Sequence, residues 1–202
     1  MWRYDTGTDT CAALPPLPLA RGGGALVLQG RSLHVFGGSD SSRRDTAAHH
    51  VLRLDGGTAW TTAAPLPVPR NHLGGAAAGG KVYAVAGQTG QDAAGTYRAQ
   101  VHAYDPATDT WSAVASMPRG QSHNNASTFT LDGRVLVIGG EVSYGSSTRE
   151  VHAYDPATDR WSRLTDLPLA RNAGVAGAWG GQLFHVTGNT SRTTYEGTPH
   201  TG

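Results

Sequence analysis

Short apolar runs, separated by turn residues, fill most of the chain. One stretch shows the pattern: Gly74–Ala78, Lys81–Ala86, Ala99–Tyr104 and Thr110–Ala115 follow one another with Gly, Asp, Pro and Thr between them. Runs of that length with turn chemistry at their ends predict antiparallel β-strands. Gly79-Gly80 supplies a connection that tolerates positive φ. Asp105-Pro106 places Asp first and Pro second in a type I turn that leads into the last run.

The four-run pattern recurs. Val101-His-Ala-Tyr-Asp-Pro-Ala-Thr-Asp-Thr-Trp111 returns 50 residues later as Val151-His-Ala-Tyr-Asp-Pro-Ala-Thr-Asp-Arg-Trp161. Weaker copies are Tyr4 to Cys11, with cysteine in the tryptophan place, and Leu54 to Trp60, with Leu54 in the tyrosine place. A Leu/Met-Pro pair recurs at Pro18, Pro67, Pro118 and Pro168, in steps of 49, 51 and 50. Three residues after each come Arg21, Arg70, Gln121 and Arg171. An apolar strand then ends in glycine at Gly38, Gly87, Gly140 and Gly188. A fixed step of about fifty residues marks an array of equal structural units.

An apolar run, a glycine doublet, then tyrosine and tryptophan about seven residues apart resemble the kelch-repeat family, in the galactose oxidase-like superfamily. The resemblance implies an all-β β-propeller of four-stranded antiparallel blades. One such sheet cannot bury both faces alone; stacking sheets around an axis does so. The expected propeller spans 1–189, with a half blade at 1–14, whole blades near 22–64, 71–115 and 122–165, a half blade at 173–188, and a loose tail at 190–202. Pairing the two half blades gives about four blades and removes exposed edges. Family members typically have five to seven blades. The alternatives are therefore a compact four-bladed ring, or part of a longer propeller, completed by self-association if it is open. Trp60, Trp111, Trp161, Tyr104 and Tyr154 are expected between blades as structure. Burying one tryptophan stabilises by at most roughly 4–6 kcal/mol.

Composition changes this picture little. Sixteen Lys+Arg against fifteen Asp+Glu leave a net charge of +1, which gives no reason to expect nucleic acid or an anionic membrane as partner. The single Cys11 excludes an internal disulfide and is expected to be an inert packing residue. No run approaches a membrane span and no leader is visible, so a cytoplasmic location is the default, or a secreted one if the N-terminus is truncated. High Ala, Gly, Arg and Thr with few lysines suggests a bacterial source.

Candidate chemistry sits just after each Pro-x-x-Arg step. Arg21, Arg70, Asn71, His72, Gln121, His123, Asn124, Arg171 and Asn172 occupy corresponding positions, which the kelch resemblance places at one mouth of the central channel. Arginine forks and histidines converging there suit an acidic or carboxylate-bearing ligand. The competing reading is that the arginines brace the sheets through backbone carbonyls. His102 and His152 are repeat copies on an outer strand and are expected at the surface. No metal-ligand spacing, cofactor motif or acid/base dyad is visible. The function expected is a non-catalytic protein- or glycan-binding module. The resemblance also admits a sialic-acid mutarotase type of enzyme, and the fragmentary ends admit a remnant of a longer propeller.

Overall fold

The computed structural model describes residues 1–198. Every regular element is a strand apart from two single turns of 3-10 helix, at Asp92–Ala94 and Asn125–Ser127. A hairpin comes first, β1 (Trp2–Asp5) and β2 (Thr10–Ala13). The first sheet runs β3 (Ala25–Gln29), β4 (Ser32–Phe36), β5 (His49–Arg53) and β6 (Thr61–Ala63). The second holds β7 (Gly74–Ala78), β8 (Lys81–Val85), β11 (Val101–Asp105) and β12 (Thr110–Val114), with a side ribbon of β9 (Gln88–Thr89) and β10 (Thr96–Tyr97). The third is β13 (Thr128–Leu131), β14 (Arg134–Ser143), β15 (Ser146–Asp155) and β16 (Arg160–Arg163). The fourth has three strands, β17 (Val175–Trp179), β18 (Gln182–Val186) and β19 (Thr194–Gly197). All pairings are antiparallel and join strands consecutive in the chain, except that β8 meets β11 across the β9–β10 ribbon.

Both faces of the middle sheets are covered, which the alternation along a strand makes possible. Tyr83, Val85 and Val101 of the second sheet pack with Val135, Val137 and Tyr154 of the third. Val82, Ala84 and Tyr104 pack the opposite way, against Ala25, Val27 and Phe36 of the first. Trp111 and Trp161 reach across those boundaries. Phe36 and Trp111 meet edge to face at 5.4 Å.

Three series of hydrogen bonds repeat from sheet to sheet. At the periphery, Trp60, Trp111 and Trp161 donate Nε1–H to the carbonyls of Pro15, Ala64 and Ala115, at 3.0, 2.9 and 2.8 Å. Nearer the axis, the amides of Gly38, Gly87 and Gly140 donate to the carbonyls of Arg70, Gln121 and Arg171, at 2.9, 2.8 and 2.7 Å. At the axis, His72 donates its amide to Gly23 O (2.7 Å), His123 to His72 O (3.0 Å) and Ala173 to His123 O (2.9 Å). The glycine at the second series follows from sterics. Gly87 has φ +97°, and a Cβ there would stand 2.7 Å from Leu73 Cβ.

Asp109 ties the tryptophan series together. Its Oδ1 accepts from Tyr104 Oη–H and from the Ala64 amide, both at 2.8 Å. Asp159 does the same for Tyr154 and Ala115. Asp109→Ala leaves two donors at a sheet boundary without an acceptor. A melting temperature lowered by about 3–6 °C is expected, and an unchanged thermal scan would contradict this role.

The structure departs from the sequence reading in five places. Leu52, not Leu54, takes the tyrosine position: it pairs with Leu33 as Tyr104 pairs with Val82. The following turn is one residue longer, Leu52 and Trp60 standing eight apart where Tyr104 and Trp111 stand seven apart, and this extra residue displaces the alignment. His102 and His152 are buried, because both faces of a third strand are covered in this architecture. Cys11 is exposed, since no sheet packs on the hairpin that carries it. The hairpin and the fourth sheet form separate sheets, and β18 takes β19 on the edge that a composite blade would give to β1. β19 itself lies in the expected loose tail, where alternating Thr-Tyr-Glu-Gly suits a short edge strand; residues 199–202 of that tail lie outside the described residues.

Candidate functional site

The site forms where the axial residues meet three loops. Gly23, His72, His123 and Ala173 all adopt left-handed backbone, with φ of 64°, 48°, 55° and 51°. That conformation turns each chain from the linker into the innermost strand and sets the axial amide-to-carbonyl series described above. It also brings two imidazoles together: His72 and His123 stack with ring centroids 4.2 Å apart and planes 19° from parallel.

Around them lies a pocket of about 240 Å³, lined by Arg43, His72, Gln88, Gln91, Tyr97, His123, Glu141 and Tyr144. The connections between the second and third strands of the first three sheets contribute: Arg43 from the first, Gln91 and Tyr97 from the second, Tyr144 from the third. His123 Nδ1 lies 2.9 Å from Glu141 Oε2 and 2.8 Å from Ser122 Oγ. Ser122 donates its hydroxyl proton to Gln88 Oε1 at 2.8 Å. Ser122 Oγ, having given its proton to Gln88, accepts from His123 Nδ1–H, and in the neutral ring this leaves Nε2 as an acceptor. Glu141 is anchored from its other oxygen by the Gly145 amide at 2.6 Å. Tyr97 is held beside Glu141, and burial together with that carboxylate pushes its phenol up to about 12. On the other side, Asn71 bridges Asp45 and the His72 ring, and Asp45 also receives the Gly90 amide at 2.7 Å. The loop positions of the first and second sheets are thus coupled directly.

The residues expected at the mouth divide into two groups. His72 and His123 line the pocket, and Asn71 stands directly behind it. Arg70 is fully buried: its guanidinium donates to Ala84 O at 3.0 Å and meets His102 Nδ1 at 3.2 Å. Arg21 repeats this with Ala48 O and His50 Nδ1, each at 2.6 Å. Arg171 binds Tyr195 Oη at 3.1 Å and Ser191 Oγ at 3.3 Å. Gln121 takes the arginine position in the third sheet and donates to Gly139 O at 3.0 Å. Each side chain braces its own sheet. Asn172 donates its backbone N–H to Asn189 Oδ1 at 2.7 Å. Asn124 is buried, and its amide meets no hydrogen-bond partner among the described residues. It precedes the 3-10 turn at Asn125–Ser127, which packs against β7, β14 and β17 near the axis. Asn125 reaches across that axis to Gly23 O and Gly24 O, at 3.3 and 3.2 Å.

Asp45, Gln88, Tyr97, Glu141 and Tyr144 were not legible as site residues. Asp45, Tyr97 and Tyr144 belong to second-to-third-strand connections whose sequences do not repeat; Gln88 and Glu141 directly follow the repeated Gly87 and Gly140, and that shared place was the signal that could have found them. Among the described residues no group of three or more His, Cys, Asp or Glu side chains is arranged to hold a metal ion.

Four sheets stacked in chain order, bound at three radii and carrying a loop-built pocket on one face, define a β-propeller. The chain belongs to the kelch-repeat family: the model of the KLHDC2/KLHL20/DRC7 Kelch-repeats domain matches residues 1–188. It is 37% identical over 84 residues to "Kelch-like protein terF" of Aspergillus terreus, covering 40% of this chain and 18% of that protein. It is 28% identical over 148 residues to "Kelch-like protein 35" of Mus musculus, covering 72% of this chain and 23% of that protein. The chain thus spans about a fifth of the length of these relatives. Among solved structures it superimposes on YjhT with a TM-score of 0.74 at 18% identity, covering 93% of this chain and 68% of YjhT. That likeness concerns the fold.

Proposed function

We propose that the chain is a non-catalytic recognition module that receives a loop of a partner protein in the pocket between His72, His123, Tyr97, Glu141 and Tyr144. The observation that carries this reading is the stacked histidine pair held between a buried, anchored carboxylate and three converging loops. The lining offers acceptors at Glu141 and His123, a cation at Arg43 and two tyrosines, one of them, Tyr144, largely exposed. Tyrosine and arginine are enriched where proteins meet. A volume of about 240 Å³ falls below that of small-molecule sites, roughly 300–1,000 Å³, and suits one or two inserted side chains. The relatives named as kelch-like proteins are consistent with this class of role.

Parallel peptide and glycan arrays test the reading, followed by calorimetry on the hits. A peptide binding at micromolar strength is expected, weakened at least tenfold by Glu141→Gln, or about 1.4 kcal/mol. Hits confined to glycans would replace a protein loop with a sugar as the ligand. A peptide that binds Glu141→Gln and Tyr97→Phe as tightly as the parent would remove the pocket from the account. The exchange of sialic-acid anomers, followed by NMR, is expected to run at the buffer rate; acceleration would restore the mutarotase alternative.

A further inference from the structure

The boundary between the third and fourth sheets lacks what fills the other boundaries. Gly197 pairs with Leu183 just as Tyr104 pairs with Val82 and Tyr154 with Val135, so glycine stands in the tyrosine place. No fourth strand lies beside β19 among the described residues, so no indole enters from that side. The result is an apolar groove of about 680 Å³, lined in part by Leu136, Ile138, Val151, Leu164, Leu167 and Phe184. Thr165 also lines it. Thr165 occupies the same place before its Leu-Pro pair as Pro15, Ala64 and Ala115, the carbonyls that receive Trp60, Trp111 and Trp161.

The missing tyrosine and fourth strand, though not the indole, exist elsewhere in the chain. The hairpin β1–β2 reproduces the third and fourth strands of a sheet. Tyr4 Oη donates to Asp9 Oδ1 at 2.7 Å, as Tyr104 does to Asp109 and Tyr154 to Asp159. Asp9, Asp109 and Asp159 share left-handed backbone, with φ of 51°, 50° and 53°. Cys11 faces Tyr4 across the ladder as Trp111 faces Tyr104. Yet all eight strand residues of the hairpin are exposed.

Two further apolar faces are also uncovered. In the middle of the molecule, alternate residues of an innermost strand touch opposite neighbours: a Cβ at Gly74 would meet Thr128 of the third sheet, and one at Gly75 would meet Ala25 and Val27 of the first. By the same alternation, Leu26 and Leu28 of β3 face backward from the first sheet, and Val175, Gly177 and Trp179 of β17 face forward from the fourth. Leu26 is 61% exposed and Trp179 79% exposed. These are the two surfaces that meet at every internal boundary, and here neither has a partner among the described residues.

We infer that two copies of this chain pair reciprocally, each inserting its β1–β2 hairpin along β18 of the other in place of β19. In that arrangement Tyr4 enters the groove, and Asp9 Oδ1 accepts from the Thr165 amide as Asp109 accepts from Ala64. The first sheet that follows the inserted hairpin then sets Leu26 and Leu28 against Val175 and Trp179 of the other copy, with Gly177 leaving room between them. One contact fills the groove, covers the hairpin and joins both end faces. Insertion into the same molecule would have to bend four sheets into a complete circle. Exchange between copies keeps each sheet-to-sheet contact as it stands and closes a ring of about eight sheets, within the range propellers adopt.

Light scattering of the purified 202-residue chain across 1–100 µM, on the order of the strength expected of such contacts, tests this. The expected mass is about 42 kDa, twice the 21.0 kDa of one chain. Tyr4→Ala and Trp179→Glu are each expected to raise the dimer dissociation constant at least tenfold. Trp179 is exposed within one copy, so its replacement leaves the fold of that copy intact, and unchanged circular dichroism verifies this. A mass of 21 kDa throughout, a ladder of larger masses, or a dimer indifferent to both variants would overturn the inference.

Discussion

Between pH 7.5 and pH 4.5 the chain is expected to lose most of its resistance to denaturant. The cause is a set of histidines that the sheets bury as neutral rings. His49 has no solvent exposure and lies against His34, Phe36, Tyr104 and Trp111. Burial first, and the neighbouring His34 second, push its imidazole down to about 4. His102 is pushed down to about 4 by burial and then by the Arg70 guanidinium. His34, His50, His152 and His185 shift in the same direction, each chiefly through burial. In the unfolded chain these rings titrate near 6.5. Below that pH the unfolded state binds protons that the folded state refuses, so stability falls as pH drops from about 6.5 toward 4 and is constant above about 7. Each fully depressed ring accounts for about 3 kcal/mol across that window. Two such rings approach the whole stability of an ordinary domain, about 5–15 kcal/mol. Urea midpoints measured at pH 7.5, 6.0, 5.0 and 4.5 should decline steadily, and His102→Gln should flatten the slope. A midpoint that holds level from pH 7.5 to 5.0 would show that these rings are not buried as neutral groups.

Arg70→Ala is the substitution expected to do most damage. The side chain is fully enclosed, and its guanidinium serves the carbonyls of Ala84 and Val68 together with His102. Burial pushes the guanidinium down to about 10, so it stays charged at neutral pH. Truncation leaves a cavity and strands polar groups that water does not reach. The expected destabilisation is about 3–5 kcal/mol, read as a lower urea midpoint at unchanged slope. Arg70→Gln should lose clearly less, because Gln121 already performs this bracing in the third sheet with a bond to Gly139 O. Equal losses from both variants would contradict the bracing role.

That the arginines brace the sheets was one of two readings open in the sequence, and the reason is instructive. Their spacing after each proline locates them correctly at the entrance to an innermost strand. Spacing does not say which way a long side chain folds, and here each returns into its own sheet, where carbonyls at the glycine-rich turns need donors. Tyr104, Trp111, Tyr154 and Trp161 were legible because the same local chemistry recurs at a constant step. His102 and His152 misled for the complementary reason: an outer strand reads as half-exposed in an isolated sheet, whereas stacking covers both of its faces. The pocket lay half in view. His72 and His123 belong to the repeated frame and stood out as polar departures from Gly23 and Ala173. Tyr97 and Asp45 belong to connections of different lengths and Glu141 to the end of β14, and only the fold brings them to the histidines.

Arginines brace the sheets, and the histidines are the residues proposed to meet a ligand; one paired comparison tests this division directly. His72→Ala with His123→Ala, and separately Arg70→Gln, are each measured for thermal midpoint and for affinity toward a peptide selected by the parent chain. The histidine pair is expected to keep the midpoint within about 3 °C while affinity falls at least tenfold. Arg70→Gln is expected to lower the midpoint and, at a temperature where it is folded, to bind as the parent does. The reverse pattern, with affinity following Arg70 and stability following the histidines, would contradict the account.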